Sequence, residues 1–216
     1  IATTLPELLV SSIATYQQHY DVAIGNVVGS IVCNIGLILG ISAIITPIKI
    51  NTAKFIIKGF FMLACGVILL FLAKDTIITP QEGNIFLIMF ILYITLNIFE
   101  IKGNSSSINE ANHSKSLGKK TVSANMLKFF SGALLIIIGA RLLVDNGVTI
   151  ARLIGVPEHV ISVTLIALGT SLPELITGIS SIIKGHGDIS VGNILGANIL
   201  DILMVLGVSS KLGEKG

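Results

Sequence analysis

Two segments of the chain, IATTLPELLVSSIATYQQHYDVAIGNVVGSIVCNIGLILGI at residues 1–41 and LGTSLPELITGISSIIKGHGDISVGNILGANILDILMVLGV at residues 168–208, align without a gap at a constant offset of 167. Thirteen of the forty-one positions are identical, including Thr3/Thr170, Pro6/Pro173, Glu7/Glu174, His19/His186, Asp21/Asp188, Asn26/Asn193 and Gly29/Gly196. Shared apolar composition gives a few such matches by chance, but not LPEL and GN-x-x-G together at one offset. Each copy sets a glutamate four residues after a threonine in an otherwise apolar stretch. Each also carries a proline where a helix would continue. Such a proline removes an N–H and frees a carbonyl one turn earlier, around Ala2–Thr3 and Gly169–Thr170.

Of the 216 residues, 52% are hydrophobic and only 12% charged, and the mean hydropathy is +0.91. Soluble domains carry about 25% charged residues. Several runs reach the roughly 18–20 apolar residues that cross a bilayer, so the chain reads as an integral membrane protein rather than a soluble helical core. A net charge of +2 implies no nucleic-acid partner. Cys33 and Cys65 lie in apolar segments and read as buried free thiols.

Apolar run lengths predict seven helices. The first covers residues 1–16 and is broken at Pro6; the second runs from about 22 to 46 and ends at Thr46-Pro47. The third spans about 55–73, with Lys58 near its start, placed to snorkel to the headgroups. The fourth covers about 84–101. Residues 102–124 form the long polar stretch and read as a flexible loop. Helix five spans about 126–154, with Arg141 and Asp145 spaced as an i,i+4 ion pair. Helices six and seven cover about 158–183 and 189–208. Gly25/Gly29, Gly36/Gly40 and Gly192/Gly196 have the spacing that lets helices approach closely in lipid.

Lysine and arginine placement sets the orientation. Loops 47–54, 102–124 and 184–187 share one side, which holds Lys49, Lys54, Lys58, Lys102, Lys115, Lys119, Lys120, Lys128 and Lys184. The other side holds Lys74, Arg152, Lys211 and Lys215. Nine against four, Arg141 left out, marks the first side as cytoplasmic in a multi-pass cell-membrane protein.

The first copy of the repeat starts in helix one and the second in helix six, five crossings later. An odd number of crossings reverses direction, so the copies run antiparallel. That is an inverted-topology repeat, which in secondary transporters places the site near the midplane, where broken helices meet. The chain then divides into a first repeat at 1–101, a cytoplasmic loop at 102–124 and a second repeat at 125–216. The offset predicts a ten-helix parent, five helices per repeat, of which this chain carries all but the first and the last two.

A carboxylate at bilayer depth costs several kcal/mol unless partnered, which makes it a functional-site candidate. Glu7, Glu174 and Asp201 sit deepest in apolar runs, and those runs offer no lysine or arginine. A mobile cation is the natural partner. Freed carbonyls, Thr/Ser hydroxyls and carboxylates form an all-oxygen shell suited to sodium and calcium rather than zinc or copper. A second polar stripe follows in each copy: Asn26, Ser30 and Asn34 in the first, Asn193, Ala197 and Asp201 in the second. Helix–helix hydrogen bonding is the competing reading for Asn26 and Asn193, while Asp201 needs charge compensation that such bonding does not give. His19 and His186 read as local caps of their turns. Tyr16, Tyr20 and Tyr93 read as interfacial or packing residues.

At these residues the chain resembles a known family. ATTLPELLVSS…GNVVGSIVCNIG and ALGTSLPELITG…GNILGANILDIL look like the two α-repeats of the cation/calcium exchanger superfamily, and within it are similar to prokaryotic sodium/calcium exchangers. The resemblance implies ten helices in two inverted halves and antiport of sodium against calcium by alternating access. It implies Glu7 and Glu174 as central ligands of both ions, and hydroxyl and carbonyl oxygens from Thr3 and Thr170. Thr4 and Ser171 would stand beside them, Ser30 would line a sodium site, and Asn34 and Asp201 would complete the cluster. Ala167 would lend its carbonyl. The chain departs from the family pattern at Ala2, where glycine is usual, and at Ala197, where a serine would match Ser30 and supply an outer sodium site with a hydroxyl. Proton-coupled relatives carry an acid three positions after the GN pair; Gly29 and Gly196 stand there, which favours sodium. The resemblance thus implies a transporter, not an enzyme, with no cofactor. Its partners would be the lipid bilayer and the two transported ions, with no protein partner evident. The alternatives are a proton-coupled calcium antiporter and, further off, a cation channel.

Overall fold

The computed structural model describes residues 3–45, 52–75, 78–104 and 119–213. They form eight helices that reproduce the seven expected segments, with no strand among the described residues. Helix α1 is Leu5–Tyr16. Helix α2 begins as Tyr20–Val32, widens through π-helical Cys33–Leu39 and ends as Gly40–Ile45. Helices α3, α4 and α5 are Thr52–Leu72, Pro80–Asn104 and Lys119–Ile154. Helix α6 runs through Glu158–Ile161, π-helical Ser162–Ile166 and Ala167–Thr170, and α7 is Leu172–Ile183. Helix α8 comprises Gly187–Leu200, π-helical Asp201–Val205 and Leu206–Leu212. The polar 102–124 stretch is shorter than its composition suggests: α4 extends to Asn104 and α5 starts at Lys119. Lysine, alanine and asparagine prolong a helix into water once an apolar run has nucleated it. Residues 105–118 lie outside the described residues.

The repeat is written in backbone geometry. Thr4 (φ −80°, ψ −1°) and Ser171 (φ −82°, ψ 3°) stand at the same offset and break the helix alike, each just before a Leu-Pro-Glu first turn. Both twelve-residue helices then end in one pattern. The His19 N–H donates to the Ala14 carbonyl over 2.8 Å and the His186 N–H to the Ser181 carbonyl over 2.8 Å, with left-handed Gln18 (φ 66°) and Gly185 (φ 80°) between. These are Schellman-type ends. Glycine takes that conformation freely; Gln18 takes it at a steric cost. Neither histidine caps its helix with its side chain, so the capping expectation fails. His19 instead places Nδ1 2.8 Å from Glu158 Oε2, 139 residues away, and Arg152 Nε lies 3.5 Å from Glu158 Oε1.

Among the described residues, four helices are long and apolar enough to cross a membrane by length and composition, and α6 with α7, bent by 47°, makes a fifth as a broken span. Burial divides them. The span Ser190–Leu212 is 78% buried, whereas Phe55–Leu72 and Pro80–Phe99 are 6% and 11% buried. Helix α8 is therefore the axis, and α3 and α4 turn Ile57, Phe60, Leu70, Ile88 and Phe99 outward, as lipid-facing helices do. Helix α4 starts from a capping box. The Thr79 N–H donates to Glu82 Oε2 at 2.7 Å, and the Glu82 N–H reaches back to Thr79 Oγ1 at 3.3 Å. Its start is tied to α8 through Lys211, which donates to the Pro80 carbonyl.

Of the three glycine pairs, one works as a close-packing motif. A Cβ on Gly29 would stand 2.3 Å from the Val163 carbonyl oxygen, and one on Gly25 would stand 2.9 Å from Ser162 Cβ, so α2 and α6 touch backbone to backbone. Gly36, Gly40 and Gly192 face nothing within 4 Å, and Gly196 meets only Tyr93 Oη at 3.7 Å. Two packed clusters flank this contact: Val27, Phe86, Ile199 and Leu203 on one side, Val10, Val22, Val144 and Ile166 on the other. Tyr16 and Tyr20 are exposed, while Tyr93 is buried and stacks on Phe61. The Arg141 side chain lies outside what is described, so the Arg141–Asp145 pairing does too; Asp145 Oδ1 accepts a 2.9 Å bond from Gln17.

Candidate cation site

The helix breaks at Thr4 and Ser171 place Glu7 and Glu174 in the first turns of α1 and α7, where they meet α2 and α8. Both glutamates are buried, as are Thr4, Ser30, Asn34, Ala167, Thr170, Ser171 and Asp201; Thr3 is half-buried. Of the ten residues anticipated from sequence, hydrogen bonds link Glu7, Ser30, Ala167, Thr170 and Ser171, Thr3, Thr4 and Glu174 line one cavity, and Asn34 and Asp201 are buried in α2 and α8. Ser171 Oγ donates to Glu7 Oε1 at 3.4 Å, joining the two repeats. Thr170 Oγ1 reaches Asn26 Oδ1 at 3.0 Å and the Ala167 carbonyl at 3.1 Å, and Ser30 Oγ lies 3.4 Å from it. The Ala167 carbonyl also accepts the Ser171 N–H at 3.0 Å, so it stands behind the cluster already engaged. Glu7 lies close enough to Asp201 and Glu174 to feel both charges.

What distinguishes the cluster is the set of buried atoms left without a hydrogen-bond partner. They are Thr4 Oγ1, Glu7 Oε2, Asn34 Oδ1, both Glu174 carboxylate oxygens and Asp201 Oδ1. Every one is an oxygen. Buried polar atoms are paired in nearly all proteins, and a buried carboxylate without compensation is far costlier than a neutral group. Hard cations take oxygen ligands of this kind. Among the described residues no three acidic, histidine or cysteine side chains converge tightly enough to hold a metal by themselves. The carboxylates would therefore act with hydroxyl and amide oxygens, a set weaker and more exchangeable than a structural metal site.

The two asparagines of the repeat part company. Asn26 is fully buried, and its Nδ2 donates to Ser11 Oγ at 3.0 Å and to the Glu7 carbonyl at 3.3 Å. It fastens α1, α2 and α6 together. Asn193 is exposed on the wall of a cavity of about 470 Å³. That cavity reaches Thr3, Thr4, Glu174 and Ala197 at its inner end and is lined by Lys58 and Asn97 from the outer helices. Lys58, placed by sequence to snorkel to the headgroups, is among the residues that line this cavity.

Two residues of the site escaped the sequence reading. Asn198 is fully buried, and its Oδ1 accepts a 2.9 Å bond from Asn34 Nδ2, fixing which way the Asn34 carbonyl points. Its repeat counterpart is Ile31, so the offset gave no signal; a lone amide three residues before Asp201 in an apolar helix was the available clue. Ser11, buried and linking Asn26 to the Ala23 carbonyl at 3.2 Å, is the other.

Two matched broken helices, with buried unpartnered oxygens beside the breaks, are set in a bundle of apolar helices. Residues 1–99 and 125–215 match the family described as sodium/calcium exchanger protein, and the chain belongs to that family. It is 31% identical over 248 residues to the sodium/calcium exchanger MaX1 of Methanosarcina acetivorans, covering 97% of this chain and 70% of that one. Its structure is similar to that of the sodium-calcium exchanger NCX_Mj, with a TM-score of 0.64 and 33% identity over 98% of this chain and 67% of the other. The H+/Ca2+ exchanger CAX gives a TM-score of 0.75 at 18% identity over 97% of this chain and 56% of the other, a likeness of fold alone. The chain spans about two thirds of the length of the relatives it matches end to end.

Proposed function

We propose that the protein to which this chain belongs exchanges sodium for calcium across the cell membrane by alternating access, both ions competing for one set of oxygens. The observation that carries the reading is the group of buried oxygen atoms without partners at Thr4, Glu7, Asn34, Glu174 and Asp201. Glu7 and Glu174 are its fixed charges. One divalent ion neutralises both, and sodium does so only with more than one ion, so the two species exclude each other. Asp201 and Asn34 close the cluster from α8 and α2, while Thr3, Thr4, Thr170, Ser171 and Ser30 offer hydroxyls. The Ala167 carbonyl completes the set when Thr170 turns away from it.

In this reading residues 1–101 and 125–216 are the two inverted halves, and 102–124 joins them on the cytoplasmic side, a side that the excess of lysine there supports. Rocking one half against the other opens the cluster to either face. The likeness to MaX1 and NCX_Mj supports sodium as the counter-ion. The test is calcium-45 uptake into proteoliposomes holding the full-length protein. Uptake should follow an outward sodium gradient and be absent without sodium. Uptake driven by a pH gradient in sodium-free buffer would instead assign proton coupling, and passive uptake without any counter-ion would assign a channel.

A further inference from the structure

The cavity that leads to Glu174 has one feature that cation binding alone does not call for. Two charged side chains line it, and they have opposite sign: Glu174 at its inner end and Lys58 of α3 on its wall. Among the described residues the ion pairs join Glu158 to His19 and Arg152 and leave Lys58 unmatched. Both Glu174 oxygens are buried without a partner, so the ammonium does not close onto the carboxylate either. The neutral lining residues Asn97, Asn193, Ser190 and Thr177 present amide and hydroxyl groups along the same wall. A lysine serving only as a membrane anchor would point its stem outward to the headgroups.

We propose that Lys58 sets the charge selectivity of this entrance. This rests on the cation-exchange reading above. A fixed positive charge beside the path raises the energy of a divalent cation twice as much as that of a monovalent one, because the Coulomb term scales with the ion's charge. Lys58 therefore holds calcium affinity down more than sodium affinity.

The test is equilibrium competition on the full-length protein in detergent, with calcium-45 binding displaced by sodium. For a charge on the order of 10 Å from the ion in a partly aqueous cavity, Lys58→Gln should tighten sodium about threefold and calcium about tenfold. Lys58→Met should do the same, Lys58→Arg should match the wild type, and Lys58→Glu should go further in the same direction with the same two-to-one ratio in logarithms. The differences should shrink as an inert choline salt is raised past roughly 0.5 M. Equal changes for both ions, or unchanged calcium affinity in both neutral variants, would overturn the role of Lys58 while leaving the site itself standing. Failure of the wild type to bind calcium would sink the functional reading instead.

Discussion

Replacing Gly29 by alanine places a methyl group where the structure has none to spare. That carbon would stand 2.3 Å from the Val163 carbonyl oxygen and 2.5 Å from Ala167 Cβ. Ordinary carbon–oxygen contacts begin near 3.3 Å, so α2 and α6 must separate by about 1 Å. The same movement stretches the Thr170–Asn26 bond, now 3.0 Å, beyond hydrogen-bonding reach, along with the 3.4 Å approach of Ser30 to Thr170. Overpacking of this kind costs about 1–3 kcal/mol, and the lost buried bond about 1 kcal/mol more. The higher helix propensity of alanine returns up to about 1 kcal/mol. The net destabilisation is about 1–3 kcal/mol, or about 3–10 °C in a chain of this length. Unfolding in detergent can be followed with a thiol-reactive dye in a Cys33→Ser background, because Cys65 is fully buried in the folded protein whereas Cys33 is half-buried. Gly36→Ala is the matched control: it lies in the same helix but faces nothing within 4 Å, so its melting temperature should hold or rise. A Gly29→Ala protein melting within 1 °C of wild type would refute the backbone-contact argument, and so would an equal fall for Gly36→Ala.

Three further outcomes follow from the geometry. Gln18→Gly, at a φ of 66°, should raise stability by about 1 kcal/mol by removing the left-handed penalty, read as a melting temperature a few degrees higher. Asn26→Ala breaks the bonds to Ser11, Glu7 and Thr170 and should cost about 1–3 kcal/mol, whereas Asn193→Ala on the exposed wall should stay within about 0.5 kcal/mol; equal effects would dissolve the distinction between them. Ala197→Ser restores the hydroxyl that Ser30 provides in the other repeat. It should lower the sodium concentration for half-maximal calcium displacement several-fold and leave calcium binding within about twofold; unchanged sodium dependence would show that position 197 does not reach the ion.

Local features of the chain were legible in the sequence, and contacts across it were not. Hydropathy located all seven helical segments because lipid-length apolar runs are a local property. The offset of 167 located the paired glutamates and the turns that hold His19 and His186. Periodicity does not reveal which face of a helix meets another backbone, so three glycine pairs looked equivalent where only Gly25/Gly29 packs against α6. His19 read as a cap because its neighbours in sequence were Tyr20 and Asp21; its partner Glu158 comes from the other repeat. Asn198 had no repeat mate to flag it. The polar 102–124 stretch yielded helical turns at both ends because composition there reports solvation rather than conformation.

The central claim is that Glu7 and Glu174 are the charges that calcium and sodium share. The most direct measurement is sodium-gradient-driven calcium-45 flux in proteoliposomes of the full-length protein carrying Glu7→Gln or Glu174→Gln, each compared with wild type at matched, folded protein density. Flux in both variants should fall to the level of protein-free liposomes, because each change removes a formal charge from the proposed ion shell. Sodium-dependent flux at the wild-type rate in either variant would contradict the assignment.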